Sequence, residues 1–292
     1  MKMKSTIKRP WLLAACLIAA ANPGFYATPA DAVTTADAGA TLSYSDLVDL
    51  ADSASLVAVA QIRNIIALSP EQAAGVPAGY RRLFVEARVA QLIRGDSGIA
   101  PDVTYLYDAP LDRRGKLPKL KKAKVLIFAR AGTRPGQIQL TARDAQLAAT
   151  SDTVSRVEAI LSSLVAPDAP PRILGPGDAF HVVGTVAGES ETQLFLRTAN
   201  GDPVSLSILR RPGQAPRWAV ALGEIVDEAA RTPEPGSLLW YRLACGLPPA
   251  LPARSVRSLG AQEAETARAD YALVMRTLGL CGRTRTLADQ PG

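Results

Sequence analysis

Apolar and polar positions alternate over residues 83–93. Leu83, Val85, Ala87, Val89 and Ile93 fall on one face and Glu86, Arg88 and Gln91 on the other, the two-residue period of a half-buried strand. Residues 56–62 predict a strand, and residues 102–107, 124–130 and 137–141 predict three more. A turn at Gly95-Asp96 and a loop at 69–79 with Pro70, Gly75, Pro77 and Gly79 separate them. Ahead of these strands Leu47, Leu50, Ala51 and Ala54 recur at helical spacing, with Asp46, Asp49 and Asp52 on the other face and Ser43 with Asp46 placed for a capping box. Five short strands beside one helix favour a small closed or partly closed barrel, because closure removes unpaired strand edges.

The second half opens with a helix over 153–164, striped by Val154, Val157, Ile160, Leu161 and Leu164. Pro167, Pro170, Pro171, Gly175, Pro176 and Gly177 then crowd together, which predicts a linker at 166–178. Strands are expected at 180–186, 192–198 and 204–209, the last two joined through a hairpin at Asn200-Gly201. Further strands are expected at 218–222 and 238–244, flanking a short helix that carries Leu222, Ile225, Val226 and Ala229. A C-terminal amphipathic helix spans 261–278 with Ala264, Ala267, Tyr271, Val274 and Leu278 as its seam and Gly279 at its end.

The run 51–62, the strand core 85–89, the turn Leu92-Ile93-Arg94-Gly95-Asp96 and the strand 125–129 together resemble the OB-type, netrin-like barrel of exported bacterial proteins. The resemblance covers roughly residues 50–145 and rests on strand patterning and one turn; Arg94 stands where such modules more often carry lysine. It implies a binding or interaction module and brings no catalytic residues with it. The expected fold class is mainly β with peripheral helices: an N-terminal OB-like barrel domain over 43–165, the linker, a second β-rich domain with the C-terminal helix over 179–281, and a disordered tail over 282–292.

The first 32 residues read as an export signal. Lys2, Lys4, Lys8 and Arg9 are followed by an apolar core from 11 to 21 and an Ala30-Asp31-Ala32 cleavage site, which predicts a periplasmic or secreted chain starting near Val33. An alternative reading takes Leu13-Ala14-Ala15-Cys16 as a lipoprotein signal, with Cys16 carrying the anchor. Removing residues 1–32 takes four basic residues and one acid from totals of 33 and 27, leaving 29 against 26, so the balance falls from +6 to +3. That weakens any general polyanion-binding role. No span after residue 32 is apolar enough for a membrane helix. Cys245 and Cys281 remain as a pair, most simply a disulfide in an oxidising compartment.

Candidate chemistry is sparse. His181 is the only histidine, within an apolar alternation, so a structural role satisfied by a neighbour is expected, and no metal or cofactor site is predicted. Gly188-Glu189-Ser190-Glu191-Thr192 lacks the final glycine of a nucleophile elbow, and Gly175-Pro176-Gly177 lacks the third glycine of a dinucleotide loop. Glu224, Asp227 and Glu228 share a helix face and could meet Glu189 or Glu191. This leaves open an alternative function, a carboxylate-dependent hydrolase of cell-envelope glycans with Glu189, Glu191, Glu224 and Glu228 as its acids. The strongest local charge is basic. Arg113, Arg114, Lys116, Lys119, Lys121, Lys122 and Lys124 lie in the loop before the fourth strand, with Asp112 as the one acid among them. They mark an expected contact for an anionic envelope component or acidic protein. Nucleic acid is disfavoured because no aromatic residue interleaves the charges. The expected function is that of an exported, non-enzymatic binding or protein-interaction protein.

Overall fold

Ser43 starts the first helix as its spacing predicts: its hydroxyl accepts from the N–H of Asp46 while the Asp46 carboxylate accepts from the N–H of Ser43, capping α1 (Tyr44–Ser53). The computed structural model describes residues 42–95, 99–223 and 232–285; the expected signal at 1–32, the body of the short helix at 224–229 and the tail beyond 285 lie outside them. The fold is mainly β, with two antiparallel sheets and flanking helices.

The first sheet contains β1 (Leu56–Ala67), β2 (Tyr80–Arg94), β3 (Asp102–Pro110), β4 (Lys124–Ala131) and β5 (Ile138–Leu140) in the order β3-β2-β1-β4-β5. A short β6 (Gln146–Ala148), not expected from the pattern, also pairs with β4. β2 buries Leu83, Val85 and Ala87 and turns Phe84, Glu86 and Arg88 outward, the alternation of a sheet with one covered face. β4 instead buries Val125 through Ala129 without a break, because α1 packs against its other face. Register shifts in β1 opposite β2 bend this long hairpin. At the far side a single parallel bridge, Thr104 to Gln137, brings β3 to the residue just before β5, so the two outer strands of the sheet meet at one point.

α2 (Ser151–Leu164) is capped by the Thr150 hydroxyl and buries Val157, Ile160 and Leu161. The second sheet has the order β10-β9-β8-β7, from β7 (Ile173–Val183), β8 (Ser190–Thr198), β9 (Val204–Arg210) and β10 (Arg217–Ala221). The expected Asn200-Gly201 hairpin joins β8 to β9, with Gly201 at φ +83.

Two expectations change. Residues 173–178 of the expected linker are part of β7, bulged between Ile173 and Gly175 and again between Pro176 and Ala179. Proline and glycine here serve a bent edge strand rather than a spacer. The expected strand at 238–244 is a helix, α3 (Leu238–Gly246), started by the Ser237 hydroxyl accepting from the N–H of Trp240. Its last residue, Gly246, lies so close to β7 that an added Cβ would stand 3.0 Å from the Ile173 carbonyl oxygen. α4 (Ala261–Leu278) matches the expected seam and ends at Gly279, φ +73. One hydrophobic cluster includes Phe128 of the first sheet, Ile160 of α2, Leu243 of α3, Tyr271 of α4 and Leu206 of the second sheet.

Candidate functional site

The basic loop joins β3 to β4 and is held at both ends. The N–H of Leu111 donates to the Gly79 carbonyl at 2.8 Å and that of Lys122 to the Ile62 carbonyl at 2.9 Å. Leu117 and Leu120 pack against the core and anchor its middle. Asp112 turns its carboxylate onto the loop's own backbone, accepting at 2.8 Å from the N–H groups of Arg114 and Lys116. Arg113, Arg114, Lys116, Lys119, Lys121, Lys122 and Lys124 are all exposed. No carboxylate among the described residues lies within ion-pair distance of their side chains. Leucines thus fix the loop while the charges stay in water, a fixed source of positive potential at one end of the first sheet.

Beside this end a groove of about 750 Å³ runs between β3 and β5. Phe84 and Leu106 supply its apolar outer lip, and Arg82 holds Asp108 through two parallel hydrogen bonds of 2.7 and 2.9 Å at the end nearest the loop. The carboxylate keeps the Arg82 guanidinium charged to even higher pH than usual. Arg143 lies 3.6 Å from Asp108 and stacks over Tyr80, 5.5 Å from the ring centroid. Sequence reasoning missed this groove. Its volume falls within the range of ligand pockets in general.

Of the carboxylates proposed for hydrolysis, Glu189 and Glu191 fall within the described residues. Glu189 sits in the turn between β7 and β8 with its side chain against Gly184. Glu191 accepts from the hydroxyl of buried Ser207 at 2.9 Å, a contact across β8 and β9. Glu224 and Glu228 lie outside the described residues. Among the described residues no group of three His, Cys, Asp or Glu side chains could hold a metal ion.

His181 has the satisfied role expected of it. Its Nδ1 lies 2.9 Å from the hydroxyl of buried Thr192, which donates to Asp270 at 2.5 Å; Arg210 donates to the other oxygen of Asp270. On the outer face of the same sheet Phe180 and Phe195 meet edge-on with centroids 5.7 Å apart, beside exposed Val182.

Cys245 and Cys281 form a disulfide, with Cα atoms 4.9 Å apart, that ties the last turn of α3 to the segment after α4. Residues 282–285, expected within a disordered tail, pack instead against the acidic face of α1. Arg283 pairs with Asp49 at 2.6 Å, Arg285 with Asp144 at 2.6 Å, and the N–H and hydroxyl of Thr284 donate to Asp46. Arg242 of α3 pairs with Asp52 at 3.0 Å. Each aspartate placed on the polar face of α1 is therefore an anchor for a distant arginine or threonine.

Burial alone would raise the Asp46 carboxyl, but donors from Thr284, Arg285 and Ser43 outweigh it and hold the group below the ordinary carboxylate range. A value lower in the folded than in the unfolded chain stabilises above the unfolded value, and that stabilisation is lost as the pH falls through the folded one. Acidification below about pH 4 is expected to release this strap, seen as faster amide exchange at Thr284 and Arg285; unchanged exchange at those amides down to global unfolding would contradict it.

Among the described residues no helix is long and apolar enough to cross a membrane. No protein-family model matches this sequence, and no curated protein is similar to it.

Proposed function

We propose that this chain is an exported, non-enzymatic binding protein, periplasmic or secreted, in which the first sheet is an OB-type barrel. Its basic loop and adjoining groove form one surface for an anionic envelope component or an acidic protein. The observation that carries the reading is the continuity of the two features. Seven exposed basic side chains without an ion-pair partner among the described residues begin three residues beyond Pro110, at the end of the strand that walls the groove. The strand order β3-β2-β1-β4-β5 with its parallel β3–β5 bridge supports the barrel. The disulfide is in keeping with export.

The test is quantitative affinity capture from cell-envelope extract. The protein is compared with a variant carrying serine at Arg113, Arg114, Lys116, Lys119, Lys121, Lys122 and Lys124. The native loop is expected to retain an anionic partner that the variant loses, with capture weakening steeply as salt rises. Equal capture by the two proteins would sink the proposal.

A further inference from the structure

The basic loop carries its charge on the corners of two tight turns. The N–H of Gly115 donates to the Asp112 carbonyl at 2.8 Å and that of Ala123 to the Leu120 carbonyl at 2.9 Å, closing a four-residue turn toward each end of the loop. Arg113 and Arg114 are the central pair of the first turn, and Lys121 and Lys122 of the second. Between the turns Lys116 and Lys119 are exposed, while Leu117 and Leu120 pack against the core. None of the seven basic residues lines the groove between β3 and β5. Lys122 sits at φ +69, the one non-glycine residue with a positive φ among the described residues. That position of a turn ordinarily takes glycine or asparagine, so a cation stands where the backbone favours another residue.

Beyond Lys8, every lysine of the chain lies between 116 and 124. Elsewhere arginine makes the ion pairs, such as Arg82 with Asp108 and Arg242 with Asp52. Arginine forks onto a carboxylate in a fixed geometry, whereas the lysine ammonium is a hydrated point charge on a flexible stem. Residues 111–124 also include no aromatic side chain. Protein interfaces are enriched in aromatic residues and depleted of lysine, so the loop lacks the anchors a protein partner would use. These residues hold seven of the 29 basic and one of the 26 acidic side chains found after residue 32, so they carry +6 and the remainder −3. A plane of negative charge therefore attracts the loop and repels the rest, which orients the molecule.

Resting on the binding reading above, which leaves the anionic partner open, we propose that the loop docks on the anionic lipid headgroups of a bilayer surface. A plane of mobile phosphates meets protruding charges without a pocket or a register, and each Lys or Arg held near it adds to the attraction. Leu117 and Leu120, held by the core, keep the loop in place, and the flexible lysine stems let the ammonium groups follow the headgroups. Contact at headgroup level is electrostatic, so it is reversible and weakened by salt.

The test is sedimentation of the purified protein at low salt with two kinds of vesicle, phosphatidylcholine alone and equal parts phosphatidylcholine and phosphatidylglycerol. Binding is expected on the anionic vesicles only and is expected to fall steeply as salt rises. Lys119→Ser together with Lys121→Ser is expected to weaken partition about twenty-fivefold, about fivefold for each charge removed. Lys119→Arg together with Lys121→Arg keeps the charge and is expected to bind as tightly as the native chain. Arg254→Ser together with Arg257→Ser removes exposed cations outside the loop and is expected to leave partition unchanged. Equal partition into the two kinds of vesicle, or none into either, would overturn the proposal. So would loop substitutions that weaken binding no more than those at Arg254 and Arg257. A partner captured by the native loop from lipid-extracted envelope material, without vesicle binding, would be a polymer or an acidic protein. That result would leave the broader binding reading standing and remove this one.

Discussion

Replacing Cys245 and Cys281 with serine is expected to destabilise the fold by about 3 to 4 kcal/mol on the chain-entropy account of a cross-link, which here closes a separation of 36 residues. The bond joins α3 to the segment that carries Arg283, Thr284 and Arg285 onto α1. Without it those side chains must find Asp49, Asp46 and Asp144 from a freer chain, so their ion pairs weaken together with the cross-link. Urea unfolding of the oxidised protein and the double-serine variant measures the difference, which corresponds to roughly 10 °C in melting temperature for a domain of this size. An unchanged midpoint would show that packing of α4, not the disulfide, holds the C-terminus.

Asp270→Ala is expected to cost about 3 to 5 kcal/mol, the range for removing one partner of a buried ion pair. Asp270 is fully buried on α4 and accepts from Thr192, from Arg210 Nε at 2.8 Å and from Arg210 Nη2. Arg210 keeps 34% of its side chain exposed and can turn to water, which places the loss toward the lower end of that range. The Thr192 hydroxyl has one proton and gives it to Asp270, so His181 Nδ1 must be the donor in the 2.9 Å contact with Thr192. Removing Asp270 frees the hydroxyl to donate to the ring instead. Because the chain has a single histidine, the imidazole nitrogen signals report that tautomer change without overlap. A variant as stable as the native chain, with the histidine signals unmoved, would contradict the arrangement.

The alternating strand β2 was legible in the sequence, and so was a strand at β4, though not its uninterrupted burial from Val125 to Ala129. The α3 segment misleads because its apolar residues leave little polar face to mark a helical period; the informative signal was Ser237 as an N-cap. Proline and glycine near 175 suit a spacer by composition, although a bulged strand uses the same residues. Asp46, Asp49 and Asp52 were correctly placed on one helix face, but their partners Thr284, Arg283 and Arg242 are about two hundred residues away, beyond any local pattern. The basic loop was visible as a charge run. The groove was not, because it depends on where β3 and β5 stop pairing, a property of register rather than of composition.

The most direct test of the binding surface is hydrogen exchange of the purified protein alone and with the envelope fraction it captures. The account predicts slower exchange over 104–116 and 138–143, the groove and the start of the basic loop, with little change over 180–195. Protection confined to 180–195, around the exposed Phe180 and Phe195, would place the partner on the second sheet and contradict it.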